Sequence, residues 1–443
     1  MSVVDRTAVT SDPDRDTKSV PWSMVIAAAI GAVVTIVYNL VLGTVSGPSG
    51  LFGSATDIEV YRAGAQQLWS GDAVYDGPLV TVGPLELLFT YTPFAAVVFL
   101  PLAALGSLGL DWVAYLGNAI LIAAVIGLSM RLLGYRMSAS CGCLMAAGSV
   151  ALLSLEPVRT SFAAGQINLL LVALIISDIG RCSGRLRGVG VGLAAGIKLT
   201  PLIFVVYLLA TRQWRTAATA LATFAVTVVV GFVAMPVDAC HYWTGKVMHS
   251  ERIGVIDGMA NQSVNGFVSQ LLRLADAESY RDAGGAFVAP GWMWLPIAAV
   301  VGGAGIYAAR VAHDQGRELL ALSMVGMTGC AISPFSWGHH WVWIVPLLLV
   351  TMDHLWTTGT RPTWVWLAPA GLLGVTLAWP FPLSGGRGYD IGLFMMPRPE
   401  DPTWWQTIAF VVVCGSYLWL FVATVLAIGR SRRGAVTGGQ LPR

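Results

Sequence analysis

The sequence predicts an all-α polytopic membrane protein with about ten full spans, some re-entrant or short helices, and outer loops bearing amphipathic helices. Three observations predict it. Of 443 residues, 56% are hydrophobic and only 11% charged, and the mean hydropathy is +0.69. A water-soluble domain carries about 25% charged residues, so this chain lacks the charge to cover a surface facing water. Apolar runs of spanning length recur from end to end, and basic residues gather between alternate runs.

The elements follow in order. Residues 1–22 are polar and mixed in charge, a disordered cytoplasmic N-terminus by composition. The first apolar run ends in no small-residue cleavage site, so it is a retained span rather than a signal peptide. Spans are expected near 23–44, 112–131, 139–155, 165–180, 215–235, 293–310, 318–333, 338–353, 364–379 and 405–428. Arg6, Arg15 and Lys18 precede the first, and Arg430, Arg432 and Arg433 follow the last in a basic tail, 429–443. Both termini are therefore expected in the cytoplasm of a plasma-membrane protein, and the number of crossings is even.

Two apolar runs do not fit as spans. The run 188–210 has basic clusters at both ends, Arg185/Arg187 and Arg212/Arg215, and holds Lys198-Leu-Thr200-Pro201 in its middle. Proline breaks a helix, and a lysine at membrane depth is costly unless it faces a cavity. Two half-helices that enter and leave on the cytoplasmic side resolve both conflicts, with Lys198 in a cavity. The run 91–106 opens with Tyr91-Thr-Pro93 and contains Pro101, which suits a re-entrant or interfacial helix on the outer side. A single membrane-embedded domain, 23–428, then has large outer loops at 46–90, 235–291 and 380–404.

Polar chemistry concentrates in those loops. Ile58, Tyr61, Ala65, Leu68 and Trp69 recur at helical spacing, an amphipathic surface helix over 57–70. Asp57 stands at its start; the plainer alternative is an N-cap worth about 1 kcal/mol. Gly165-Gln166-Ile-Asn168 sits at the mouth of a span, where polar groups also serve as caps. Asn261-Gln262-Ser263 lies in the second large loop, and Asn265-Gly266 beside it could be only a turn. Trp337-Gly-His339-His340 lies between spans; adjacent histidines do not share a helical face, which disfavours a metal site. The six cysteines, at 141, 143, 182, 240, 330 and 414, form no CxxC pair and read as small apolar residues. There is no GxGxxG after a strand, no P-loop and no HExxH, so no cofactor is expected, and a net charge of +2 gives no footprint for nucleic acid.

Taken in sequence, Asp57-x-x-Val-Tyr61, Gly71-x-x-x-Tyr75, Tyr91-Thr-Pro93, Gly165-Gln-x-Asn168, Gly196-x-Lys198-x-Thr-Pro201, Asn261-Gln-Ser263 and Ser333-x-x-Ser-Trp-x-His-His340 resemble the actinobacterial polyprenyl-phosphate-mannose-dependent α-1,2-mannosyltransferases, GT87-type members of the GT-C superfamily. The resemblance covers about 23–428; it leads one to expect Tyr-Pro-Pro where this chain has Tyr91-Thr92-Pro93. It implies a GT-C fold, a polyprenyl-phosphate-mannose donor, a mannosylated glycolipid acceptor of the phosphatidylinositol mannoside kind, membrane lipids as surroundings, and an active site on the extracytoplasmic face. It matches the catalytic carboxylate to Asp57. The donor phosphate needs fixed positive charge, for which Lys198, His340 and Arg62 are candidates; a monophosphate donor needs no metal. Tyr61, Gln166, Asn168, Asn261, Gln262, Trp337 and His339 are candidates to hold sugar. Arabinofuranosyl transfer is the alternative within the family. Outside it, a polymerase or ligase using diphosphate donors would also suit large outer loops. A lipid or solute transporter would share the broken helix but also show internal repeats, which this chain lacks.

Overall fold

The computed structural model describes residues 18–42, 45, 50–53, 55–82, 85–181, 184–249, 252–357, 367–380, 391–398 and 403–437. Most of the expected N-terminal segment, much of the outer segment 380–404 and the chain end after 437 lie outside the described residues.

The chain is a helical bundle. Among the described residues, four helices are long and apolar enough to cross a membrane: α1 (Trp22–Val41), α5 (Ser107–Leu132), α11 (Trp214–Ala234) and α14 (Gly291–Asp314). Two bent pairs would make up to six. One is α7 (Glu156–Ala164) with α8 (Asn168–Arg181), bent by 114°; the other is α18 (Trp404–Cys414) with α19 (Ser416–Thr437), bent by 69°. Shorter apolar helices fill the bundle, among them α6 (Ala139–Leu152), α15 (Glu318–Ile332), α16 (Ile344–Thr357) and α17 (Leu367–Thr376). The best apolar stretch of α11 is only 22% buried, and Val226, Val229 and Val233 are exposed. A face so apolar and so open is built for lipid rather than water.

The end of the bundle that carries α2 (Thr56–Ser70), the upper end, holds the polar loops. There α3 (Pro93–Val98) and α4 (Leu100–Ala103) break the 91–106 run into two short helices, as its prolines require. The sequence reading missed one element: β1 (Pro78–Val82) pairs antiparallel with β2 (Leu85–Leu88) in the first loop. A β-branched Val80-Thr81-Val82 run before Gly83-Pro84 was the available signal. Two more helices of this end are α12 (Pro236–Thr244) and the strongly amphipathic α13 (Val264–Leu274).

The run 188–210 is broken as expected, into α9 (Val189–Ile197) and α10 (Ile203–Ala210). Lys198 is extended, φ −143° and ψ 131°, and a single 3₁₀ turn, Thr200–Leu202, follows. Contacts give the path. At the lower end, Asp178 of α8 accepts hydrogen bonds from Gly188 N–H (2.8 Å) and Val191 N–H (2.9 Å), which caps α9. From there α9 runs alongside α11: Gly188 faces Thr216 and Ala220, Gly192 faces Thr223 and Phe224, and Gly196 faces Thr227. The backbones are so close that a Cβ on Gly192 would lie 2.5 Å from the Ala220 carbonyl. Since α10 ends where α11 begins, the segment enters and leaves at the lower end, and Lys198 marks its apex near the upper one.

Candidate active site

Asp57 is in the first turn of α2, but it is not the cap. The N-cap is Ala55, in the left-handed region at φ 46°, with no side-chain cap. Its N–H reaches the Ala163 carbonyl at 3.2 Å and so ties the start of α2 to the end of α7. Asp57 and Tyr61, four residues apart, share a helix face. That face meets the turn between α7 and α8, where Gly165 has φ +70° and a Cβ would lie 2.9 Å from Ile58. Only glycine permits both the backbone angle and the approach.

Gln166, next in the turn, joins the cluster. Its Oε1 accepts from the Tyr61 hydroxyl (3.0 Å) and the Tyr91 hydroxyl (3.2 Å), and its side chain also hydrogen-bonds Asp57. The two phenols lie 2.8 Å apart. Burial pushes the Asp57 carboxyl up to about 6, against the Gln166 hydrogen bond and the nearby charge of Lys198, which favour the ionised form. Burial holds both phenols well above their ordinary value, with the charge of Asp57 adding to it, so they remain donors.

Lys198 enters from the apex of the α9–α10 segment. Its Nζ donates to Asn168 Oδ1 (3.1 Å), lies 3.0 Å from His340 Nε2, and sits 5.3 Å over the Tyr91 ring. Thr92, where a proline was expected, has a task here: its hydroxyl donates to the Gly196 carbonyl and caps α3 at Ala95 N–H. The 91–93 motif is thereby fixed to the end of α9.

His340 arrives on the 3₁₀ helix Gly338–Trp343, between α15 and α16. Asn168 Nδ2 donates to the His339 carbonyl (3.1 Å), and the His339 ring stacks near Trp337, centroids 6.2 Å apart. Beneath Gly338 lies Glu156, fully buried, accepting from the Tyr417 hydroxyl (2.6 Å) and Thr160 Oγ1 (3.1 Å). A cavity opens below Lys198. Asn168, Lys198, Ser336 and His340 line its polar end, and Phe204 and Trp343 are among its apolar walls.

The structure thus brings together Asp57, Tyr61, Gln166, Asn168, Lys198 and His340. Arg62 does not join them: it lies about 140° around α2 from Asp57, and its guanidinium donates to Glu59 (2.6 Å) and the Leu105 carbonyl (3.3 Å). Asn261 and Gln262 are buried but act on backbone. Asn261 Oδ1 accepts from Ser336 N–H (3.0 Å), and Gln262 Nε2 donates to the Cys414 carbonyl (2.8 Å). They fasten the segment leading to His340 and brace the α18–α19 bend. Sequence reasoning missed Tyr91 and Glu156 as site components, although Tyr91 stood in a quoted motif. Among the described residues no three His, Cys, Asp or Glu side chains converge as a metal site, and Cys141, Cys143, Cys240, Cys330 and Cys414 are free thiols; Cys182 lies outside the described residues.

No solved structure matches the chain. Among curated proteins it is 33% identical, over 386 residues and 84% of each chain, to a polyprenol-phosphate-mannose-dependent α-(1-2)-phosphatidylinositol mannoside mannosyltransferase of Mycobacterium tuberculosis. It is 33% identical, over 82% of this chain and 84% of the other, to a corresponding phosphatidylinositol pentamannoside mannosyltransferase of Mycolicibacterium smegmatis. Residues 89–334, more than half of the chain, match the model of glycosyltransferase family 87, and with relatives of this identity and coverage the chain belongs to that family.

Proposed function

We propose that this family 87 enzyme transfers mannose from polyprenol-phosphate-mannose to a phosphatidylinositol mannoside, making an α-1,2 linkage with inversion on the extracytoplasmic face of the plasma membrane. The observation that carries this is a carboxylate, Asp57, hydrogen-bonded with Gln166 and the Tyr61–Tyr91 pair, beside an ammonium, Lys198, that is held by Asn168 and lies 5.3 Å over the Tyr91 ring. The names of the relatives supply the donor and acceptor classes.

In this mechanism the acceptor hydroxyl oxygen attacks the anomeric carbon, and its proton passes to Asp57. The bond from that carbon to the phosphate oxygen breaks, and the electron pair leaves with the polyprenyl phosphate. A β-mannosyl donor gives an α product. Transition-state charge resembles an oxocarbenium ion, which the carboxylate also favours. Lys198, held by Asn168 and His340, meets the growing charge on the phosphate. The apolar walls of the cavity suit the first isoprene units. Buried tyrosine hydroxyls on Gln166 keep its amide turned to Asp57.

The same reading has about ten crossings within one membrane-embedded domain, and both termini in the cytoplasm. Two features support it. Successive long elements alternate in direction, as Asn39–Arg159 contact at the upper end of α1 and Tyr135–Asp353 contact at the lower end of α16 illustrate. Arg131, Arg136, Arg185, Arg187, Arg212, Arg215, Arg310 and Arg317 all fall at the lower end, opposite Asp57. The test is transfer of labelled mannose from polyprenyl-phosphate-mannose to a phosphatidylinositol mannoside by the purified enzyme. No product from folded enzyme overturns the donor assignment, and product with polyprenyl-phosphate-arabinose instead reassigns the sugar.

A further inference from the structure

A second charged cluster lies away from Asp57, at the upper rim between α13 and α18. The Asp257 side chain is fully buried, and its carboxylate accepts from Arg273 Nε and from the Phe287 N–H (3.0 Å). Arg273 also donates to the Gly285 carbonyl (3.3 Å), and its guanidinium lies 5.1 Å over the Phe287 ring. Arg398 reaches the same place from the far end of the chain. Its guanidinium stands 5.3 Å over the ring of Phe410 on α18, half-buried, and near enough to feel both Arg273 and Asp257. One carboxylate therefore faces two guanidiniums: Arg273 and the Phe287 N–H share its Oδ2, and its Oδ1 has no hydrogen-bond partner among the described residues. The Nε of Arg398 is buried and has no hydrogen-bond partner among the described residues.

Among the described residues the cluster holds two guanidiniums to one carboxylate, and such an excess of half-buried positive charge is costly until an anion binds. Position identifies the anion. Trp404 and Trp405 open α18 at 77% and 56% exposure, and Trp292 opens α14 at 69%. Exposed indoles at helix entrances mark the headgroup level of a bilayer. At that depth the abundant anion is a lipid phosphate, which the planar guanidinium fork matches in geometry.

We propose that Arg398, backed by Arg273, binds the phosphodiester of a lipid headgroup in the outer leaflet. The site has a route to the reaction. Asp257 begins the segment whose Asn261 and Gln262 hold Ser336, four residues before His340. A lipid anchored at Arg398 by its phosphodiester presents its distal sugars along the upper surface toward Asp57; this clause rests on the acceptor assignment above.

The experiment compares wild type, Arg398→Glu and Arg398→Lys. Native mass spectrometry of purified enzyme loaded with equal phosphatidylinositol and diacylglycerol, which lacks the phosphodiester, reads the site without any activity. Wild type is expected to retain phosphatidylinositol preferentially, Arg398→Glu to lose that preference, and Arg398→Lys to keep part of it. Equal preference in wild type and Arg398→Glu overturns the site. The acceptor arm measures kcat/KM for a phosphatidylinositol mannoside relative to a neutral alkyl mannoside. A roughly tenfold fall of that ratio in Arg398→Glu, about 1.4 kcal/mol of binding, makes the acceptor the bound lipid. An unchanged ratio with lost retention assigns the site to bulk anionic lipid and overturns the acceptor clause. If wild type transfers to neither acceptor, the proposed function fails, while lipid retention still decides the site.

Discussion

Asp57→Asn keeps the shape of the site and removes the carboxylate proposed as its proton acceptor. The replacement has the same heavy-atom outline, so Gln166 can still hydrogen-bond its Oδ1, and Tyr61 and Tyr91 keep their bonds to Gln166. What goes is the charge that takes the acceptor's proton and faces the developing cation. General-base catalysis is worth roughly 10²–10⁴-fold, about 2.7–5.5 kcal/mol of barrier at 1.36 kcal/mol per tenfold. Stability should not fall. Burial raises the Asp57 pKa in the folded state, so the ionised carboxylate is disfavoured there, and a neutral amide removes that penalty. The assay is single-turnover transfer from polyprenyl-phosphate-mannose at pH 7.5, with thermal unfolding of both proteins alongside. The expected result is a kcat loss of at least about a hundredfold with an unfolding temperature equal to or above wild type. Turnover within a factor of about three of wild type, well short of that loss, refutes Asp57 as the base. A large drop in unfolding temperature refutes the packing argument instead.

Other outcomes follow from the same geometry. With the Asp57 carboxyl, the proposed base, raised to about 6, wild-type kcat/KM should fall as pH drops through 6, because the carboxylate then takes up a proton; a rate flat from pH 7 to 5 excludes this. The Gln166 hydrogen bond lowers the Asp57 pKa, so Gln166→Ala should move that acid limb to higher pH, readable in the pH profile even if kcat also falls. Lys198→Ala should weaken kcat/KM for the donor by roughly 10–150-fold, the worth of a charged hydrogen bond of about 1.5–3 kcal/mol, with the acceptor KM little changed. Gly196→Ala drives a methyl into Thr227 on α11 and should cost about 1–3 kcal/mol of stability, seen as a lower unfolding temperature.

What could be seen in the sequence was set by cost. Lys198 between two arginine clusters in an apolar run has few inexpensive explanations, so both its cavity and the reversal of its segment were legible. Gln166 and Asn168 were legible for a similar reason, being polar groups at a helix mouth. Tyr91 was harder, since a tyrosine in an apolar stretch is ordinary until Tyr61 and Gln166 are known to meet it. Arg62 stands apart from the cluster because sequence proximity to Asp57 says nothing about helix face. Asn261 and Gln262 differ again: they are polar and near the site, yet besides the Ser263 hydroxyl their partners include backbone groups of Ser336, Met259 and Cys414. Glu156 joins residues 261 positions apart through Tyr417, a pairing only the folded chain can make.

The glycines that seat α9 against α11 make α11 a ruler for the site. Gly188, Gly192 and Gly196 index Lys198 along it, and further on Gly231 receives Pro93, whose neighbours Tyr91 and Thr92 touch the cluster. The cation and the tyrosine wall are thus read off one rigid helix rather than two independent loops. Sliding α11 by one turn would displace both together and preserve their spacing while moving them relative to Asp57, which is referenced to α7. Asp57 and Lys198 therefore hang on two helix frames, α2 on α7 and α9 on α11, and the joint between them is made by Gln166, Asn168 and the direct Tyr61–Tyr91 contact.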